Sequence, residues 1–154
     1  MIAINRKGFT LIELLAVIIV LAVVTLLAVQ AVLPQVEKAR KNVFVVEANH
    51  AIDAAKQWHG EKKLINGENN TCITISDLIS SGYFEVTNSS KYAGYVQVVQ
   101  SNGIVTGYNI MMTNGTYKTK QVHSGKLKTS EAVGDSVIVA VPSGDTSVTN
   151  TCPS

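Results

Sequence analysis

The sequence of 154 residues predicts an α+β fold, in which a long N-terminal α-helix packs on an antiparallel sheet of three or four strands. Residues 9–33 form an almost uninterrupted apolar run, and residues 34–60 follow an amphipathic helical pattern. After residue 90, alternating strand patterns are separated by Asn102-Gly103 and Asn114-Gly115, which favour hairpin turns. The predicted domains are therefore a short basic segment (1–8), a membrane-spanning helix (9–33), the amphipathic half of the same helix (34–60) and a globular head (61–154).

The run from Phe9 to Leu33 is apolar on all sides except at Thr10, Glu13, Thr25 and Gln30. As an α-helix it would be about 37 Å long, enough to cross a hydrocarbon core of about 30 Å. Glu13 is unusual there, because a carboxylate in lipid costs roughly 2.5–3.5 kcal/mol at the helix centre. The sequence therefore predicts that Glu13 has a cationic partner.

A cut after Gly8 would create that partner. Arg6 and Lys7 precede Gly8, and a chain that begins at Phe9 carries a new α-amino group four residues before Glu13. Residues four apart lie on the same helix face. The amine would neutralise Glu13 in the same chain or in a neighbouring copy at a slightly different height, and it would favour packing of many identical helices.

The order Arg6-Lys7-Gly8, then Phe9, then Glu13, then an apolar helix resembles the processing signature of the type IV pilin family, which includes pseudopilins and competence pilins. The resemblance implies that residues 1–8 are a leader peptide and that a membrane prepilin peptidase cuts between Gly8 and Phe9 and N-methylates Phe9. It also implies that Glu13 pairs with the Phe9 amine of an adjoining subunit, and that residues 9–33 form a filament core. An ATPase-driven pilus assembly machinery would extract the subunit from membrane lipid.

The function implied by this resemblance is that of a structural subunit of a type IV pilus. The precursor would sit in the inner (cytoplasmic) membrane as a single-pass protein and then join a helical homo-oligomer on the cell surface, for adhesion, motility or DNA uptake. One alternative is a pseudopilin of a type II secretion or competence apparatus, and a second is a membrane-anchored surface-binding protein that never polymerises. A secretory signal peptide would normally have an apolar region of about 7–15 residues, shorter than this run, and a plain anchor would explain the run but not Gly8, Phe9 and Glu13 together.

The second half of the predicted helix begins at Pro34, which cannot donate to the carbonyl of Gln30 and so predicts a kink. The three- and four-residue steps after it predict an inward apolar face, with Val45 and Ile52 on the polar side, where a partner subunit could pack. Gly60 is predicted to end the helix. The residues assigned to the inward face are Val36, Ala39, Val43, Val46, Ala51, Ala54 and Trp58.

The head is predicted to contain a short helix capped by Ser76 and ended by Gly82, followed by strands over residues 95–100, 104–113, 116–123 and 137–141. On the second strand, one face is expected to cover the helix; its residues are Ile104, Tyr108, Ile110 and Met112.

Cys72 and Cys152 are the only cysteines and both follow the span. In an exported domain a disulfide is favoured, with two separate thiols as the alternative. The bond would close a loop of about 80 residues, worth roughly 4.5 kcal/mol in the chain-entropy model.

Charge and motifs give little support for other functions. The net charge of +2 describes the precursor, since loss of Arg6 and Lys7 reduces the 13 basic residues to 11, equal to the acidic ones. The sequence contains no P-loop, no G-x-S-x-G and no Cys/His metal spacing, so it predicts no enzyme, cofactor or metal. One basic cluster could contact nucleic acid or anionic polymers, but lysines that protect a strand edge are favoured. Its members are Lys118, Lys120, His123, Lys126 and Lys128.

Overall fold

The computed structural model describes residues 9–66, 71–128, 137–142, 145 and 147–153, with only the helical backbone for residues 64–66. One long helix precedes an antiparallel sheet, so the predicted α+β class is confirmed. The elements in chain order are α1 (Leu11–Asn66), β1 (Cys72–Thr74), α2 (Ile75–Ser80), a 3-10 turn (Ser89–Lys91), β2 (Ala93–Ser101), β3 (Ile104–Thr113), β4 (Tyr117–Thr119), β5 (His123–Ser124) and β6 (Ile138–Ala140).

The chain divides into two compact units, Met1–Glu37 and Lys38–Ser154, and α1 contributes to both. In the first unit, every described residue is exposed, so nothing in that unit covers its apolar helix. The second unit contains the described strands, α2 and the buried core.

Helix α1 is a single α-helix of 56 residues with Pro34 inside it. The kink at Pro34 stays a prediction, whereas the predicted end at Gly60 is wrong, because the helix continues to Asn66. Gly60 is not among the glycines with positive φ. A glycine inside a helix costs about 1 kcal/mol relative to alanine. The hydrogen bond from Gln57 Nε2 to Glu61 Oε1 (3.2 Å) and the one from the Tyr83 hydroxyl to Glu61 offset that cost on the far side of Gly60.

The buried face of α1 agrees with the prediction only in part: Ala51, Ala54 and Trp58 are buried as predicted, whereas Val36, Ala39, Val43 and Val46 are exposed. Phe44 is fully buried and Val45 and Ile52 are 1% exposed, whereas Val43 and Val46 are 57% and 49% exposed. The assignment of Val43 and Val46 to the core, and of Val45 and Ile52 to the polar side, is therefore wrong. The prediction merged two apolar stripes and gave no weight to Phe44, whose large ring sets the inward direction because its burial contributes most. The inward stripe comprises Phe44, Val45, Ala48, Ala51, Ile52, Ala54, Ala55 and Trp58.

The sheet has the strand order β1-β2-β3-β4-β6, with β5 paired to β3, and every pairing is antiparallel. It contains six described strands rather than the three or four predicted. The expected strand over residues 116–123 is divided into β4 and β5, and β1 is too short, at three residues, to show the alternation that predicts a strand. The β2–β3 hairpin turns at Asn102-Gly103, where both residues have positive φ (52° and 74°), as a type I′ turn requires.

The inner face of the hairpin supplies much of the core. Ile110 and Met112 are fully buried, as predicted, and Tyr108 packs partly buried against the same cluster. Ile104 is 69% exposed, so its assignment to this face is wrong. It lies at the hairpin turn, beyond a register shift at Val99/Gln100, where the alternation of the strand no longer follows the core.

The N-cap of helix α2 lies two residues before the predicted one. Thr74, not Ser76, is the N-cap: its backbone is extended and its hydroxyl accepts a hydrogen bond from the amide of Asp77 at 3.1 Å. Gly82, with φ of 80°, follows the end of the helix, and its amide donates to the carbonyl of Ile79. Thr74 therefore both ends β1 and starts α2, which ties the short helix to the sheet.

Candidate functional site

The site predicted from the sequence lies at the N-terminus of α1. Phe9 and Thr10 come directly before the first helical residue, and Phe9 is 81% exposed. Gly8 and the rest of the basic segment lie outside the described residues, so the predicted cleavage between Gly8 and Phe9 stays a prediction.

Thr10 and Glu13 form a reciprocal cap on the first turn of α1. The amide and the hydroxyl of Thr10 both donate to Glu13 Oε2 at 2.9 Å, and the amide of Glu13 donates to Thr10 Oγ1 at 3.3 Å. This is a capping box, in which two backbone amides left unpaired by the helix start each gain a partner. Glu13 is therefore held back towards the start of its own helix.

The Glu13 carboxylate lies near the residue, Phe9, that would gain a charged α-amino group if the chain were cut after Gly8. Glu13 lies in the first turn of α1, where the positive end of the helix dipole favours an anion. Both hydrogen bonds use Oε2, and no described residue donates to Oε1. That oxygen can accept an amine, so the geometry suits the predicted pairing of Glu13 with the Phe9 amine.

The interpretation of the sequence missed this cap although the pattern was present. Thr10-Leu11-Ile12-Glu13 has the threonine-x-x-glutamate spacing of a capping box directly before an apolar run. Glu13 was considered only as half of an ion pair. The structure shows that it also has a local partner in its own chain.

The apolar part of α1 is long enough to cross a membrane, and its most apolar stretch is not buried by any residue that the structure describes. That exposure separates it from the core helix of a water-soluble protein. Thr25, a polar residue in this stretch, shares its hydroxyl proton between the carbonyls of Leu21 and Ala22, both at 2.9 Å, so it leaves no unpaired donor in an apolar surrounding.

The two cysteines meet in the second unit. Cys72, at the start of β1, is bonded to Cys152 in the C-terminal segment, at a sequence separation of 80 residues. This confirms the predicted pairing. Asn150, two residues before Cys152, accepts a hydrogen bond from the amide of Gly94 at 3.0 Å, so the same segment is also fixed to β2.

The basic cluster does not form a continuous cationic surface. Lys118 binds Asp145, and Lys126 binds Asp53 at 2.6 Å. Asp53 also accepts a hydrogen bond from Lys56 at 3.1 Å. These pairs support the reading of the lysines as surface residues of the sheet and its loops. Among the described residues, no group of three or more His, Cys, Asp or Glu side chains is placed to hold a metal ion.

The N-terminal part of the chain matches a known family motif. Residues 4–29 match the prokaryotic N-terminal methylation motif, which covers Phe9, Thr10 and Glu13. No curated protein and no solved structure matches the chain.

The motif and the exposed apolar helix together indicate a membrane-anchored precursor. The motif implies processing by a prepilin peptidase and assembly into pilus-like filaments. This chain carries the N-terminal methylation motif that is the signature of type IV pilins and pseudopilins.

Proposed function

We propose that this chain is a structural subunit of a type IV pilus, cut between Gly8 and Phe9, N-methylated at Phe9 and polymerised into an extracellular helical filament. The observation that carries the proposal is the N-terminal methylation motif over residues 4–29, with Glu13 fixed at the start of an apolar helix that no described part of the chain buries.

The mechanism follows from what the apolar helix contacts. Before assembly, lipid covers it; in the filament, neighbouring copies of the same helix cover it. The exchange changes the buried apolar area little, so packing and charge pairing decide the register between copies. The amine of Phe9 in one copy pairs with Glu13 in the next. Both charges are removed from water in the packed core, so leaving this pair unformed carries the largest desolvation cost.

The test identifies the N-terminal residue, and any methylation of it, in the protein recovered from sheared surface filaments. We expect mass spectrometry to show a chain that begins at Phe9 with one added methyl group, and electron microscopy to show long filaments made of it. A chain that keeps Met1, or one that begins near Val32 as a secretory signal peptide would leave it, contradicts the proposal. A chain trimmed at Phe9 that never forms surface filaments, even when overproduced, indicates a pseudopilin.

A further inference from the structure

Helix α1 carries a second strip of side chains that the sheet does not cover. In the second unit, Arg40, Val43, Val46 and His50 follow one another at three- and four-residue steps. Glu47 lies four residues after Val43, so all five share one side of the helix. Arg40 and His50 are exposed, Val43 and Val46 are about half exposed, and Glu47 is half-buried. The strip is cationic at one end, apolar in the middle and anionic at the other end.

The anionic end is a preformed groove. A cavity of about 450 Å³ is lined by Glu47, His50, Phe84, Glu85, Val86, Thr87 and Tyr92. Glu47 is held in place there, because Oε1 accepts a hydrogen bond from the Tyr92 hydroxyl (3.0 Å) and Oε2 accepts one from Asn114 Nδ2 (2.8 Å). Glu85 is exposed across the groove and takes part in no ion pair within the described part of the chain.

The cationic end is Arg40. Its side chain is exposed and makes no ion pair with an acid in the part of the chain that the structure describes. It lines a smaller cavity, of about 260 Å³, together with Val43 and the β3–β4 turn. Arg40 therefore has a geometry that suits a carboxylate from outside the subunit.

We propose that this strip joins successive subunits: Arg40 of one copy binds between Glu47 and Glu85 of the next copy, and Val43 and Val46 pack in the same contact. The inference rests on the proposed function, because it requires a polymer. Copies anchored through α1 in one membrane all point the same way, so the two unlike ends of the strip meet only when neighbours are staggered. A contact between unlike ends does not close on itself and generates a filament.

The stagger that the strip requires can be measured within the second unit. Arg40 and Glu47 are seven residues apart, about 10 Å along α1. A neighbour displaced by that distance along this part of the helix brings its Arg40 level with Glu47, and the length of an arginine side chain allows a shorter displacement.

The experiment reverses these charges in the full chain and measures the yield of sheared surface filaments. We expect Arg40→Glu and Glu85→Arg each to lower the yield at least about tenfold, because like charges then face each other across the contact. The double variant R40E/E85R should recover most of the yield. Glu85 is changed rather than Glu47, since Glu47 also holds Tyr92 and Asn114 within the subunit.

Lys38→Glu is the matched control, because Lys38 is also exposed but lies about 200° around the helix from Arg40. It should leave the yield near that of the wild type. An equal loss in K38E would indicate a general need for positive charge beside the lipid headgroups and would overturn the inference.

A second measurement does not depend on how much filament each variant makes. Cells that produce Arg40→Cys and Glu85→Cys subunits together should give covalent dimers on oxidation, and cells that produce either one alone should not. No dimer in filaments that contain both subunits, normal yield in R40E, or no recovery in the double charge variant would each overturn the inference. A wild-type chain that begins at Phe9 but forms no filament would overturn the proposed function first, and the inference with it.

Discussion

Glu13 has one role that the structure shows and a second that we propose. It caps its own helix through Thr10. Its second oxygen would be open to the amine that the proposed cut before Phe9 would create. The local cap explains how the carboxylate is tolerated at the end of an apolar helix before assembly. The predicted pairing with Phe9 would use the oxygen that the cap leaves open.

Replacement of Glu13 by alanine separates the two steps. We expect normal removal of residues 1–8, since the cut precedes Phe9, and loss of filaments, because the Phe9 amine then has no anion in the packed core. The measurements are the mass of the membrane-bound chain and the yield of sheared filaments. Thr10→Ser, which keeps the hydroxyl of the cap, serves as the control. A normal filament yield from E13A would show that assembly does not depend on pairing between Glu13 and the Phe9 amine.

The folding stability of the head is expected to depend on pH through Asp145. The hydrogen bond from Lys118, with further hydrogen bonds from Ser147, lowers the pKa of the Asp145 carboxyl to about 2 from an ordinary 3.8. Because the pKa is lower in the folded state, the unfolded state binds more protons between these values, and the stabilisation present above pH 4 is lost as the pH falls towards 2.

We expect the difference in melting temperature between the wild type and Asp145→Asn to decrease as the pH falls. Wild type should melt above Asp145→Asn at pH 7, and the gap should nearly close at pH 2, as followed by circular dichroism of the full chain in detergent. A gap that stays constant from pH 7 to pH 2 would show that the carboxylate is not what stabilises the fold.

At the scale of elements, the sequence was sufficient for the long helix and the β2–β3 hairpin, because both have strong local patterns. Residues 104–113 were predicted as a strand with the observed bounds, and Asn102-Gly103 as its turn. The inward face of α1 was not predictable from spacing alone. Val43, Val46, Phe44 and Val45 are all apolar, and only contact with the sheet determines which pair is covered.

Of the short strands, β6 was predicted, β1 was missed, and β4 and β5 were merged into one. β1, β4 and β6 are three residues each and β5 is two, so each is shorter than the run of about four residues over which alternation predicts a strand. β1 pairs with β2, β4 and β5 pair with β3, and β6 pairs with β4. Pairing between distant segments is not visible in local sequence. The capping box at Thr10, unlike the short strands, could have been predicted, because its threonine-x-x-glutamate pattern is local.

Gly94 allows β2 and β3 to approach each other. A Cβ at this position would lie 2.0 Å from the carbonyl oxygen of Met111, and the φ of Gly94 is 128°, which side-chain-bearing residues rarely adopt. We expect Gly94→Ala to lower the free energy of unfolding by about 1–3 kcal/mol. The fluorescence of Trp58, the one tryptophan of the chain and 8% exposed, reports unfolding of this core in denaturant.

Gly107→Ala is the matched control within the same hairpin. Nothing lies within 4 Å of a Cβ built there, so the change should alter stability by less than about 0.5 kcal/mol. Equal effects of the two alanines would show that chain entropy, rather than the close approach at Met111, determines the cost at Gly94.

At the scale of the whole molecule, the two units differ in how their apolar side chains are covered. The described part of the first unit leaves its apolar surface to lipid or to other copies, whereas the second buries a core of its own. The second unit should therefore retain its own cooperative unfolding in detergent or in a filament. The stability of the second unit is then set within the head, where the disulfide is the one covalent link between distant described segments.

The Cys72–Cys152 bond closes a loop with a sequence separation of 80 residues, and the segment it ties down also contains Asn150, which accepts from Gly94, and Asp145, which binds Lys118. Such a bond restricts the unfolded chain, so the double serine variant should lose about 2–4 kcal/mol of unfolding free energy. Denaturant titration of the full chain in detergent, followed by Trp58 fluorescence, measures the loss. Reduced wild type should unfold at the midpoint of the variant. If the oxidised wild type and the variant share a midpoint, the hydrogen bonds of Asn150 and the ion pair of Asp145 already hold the segment, and the bond adds nothing to the stability of the head.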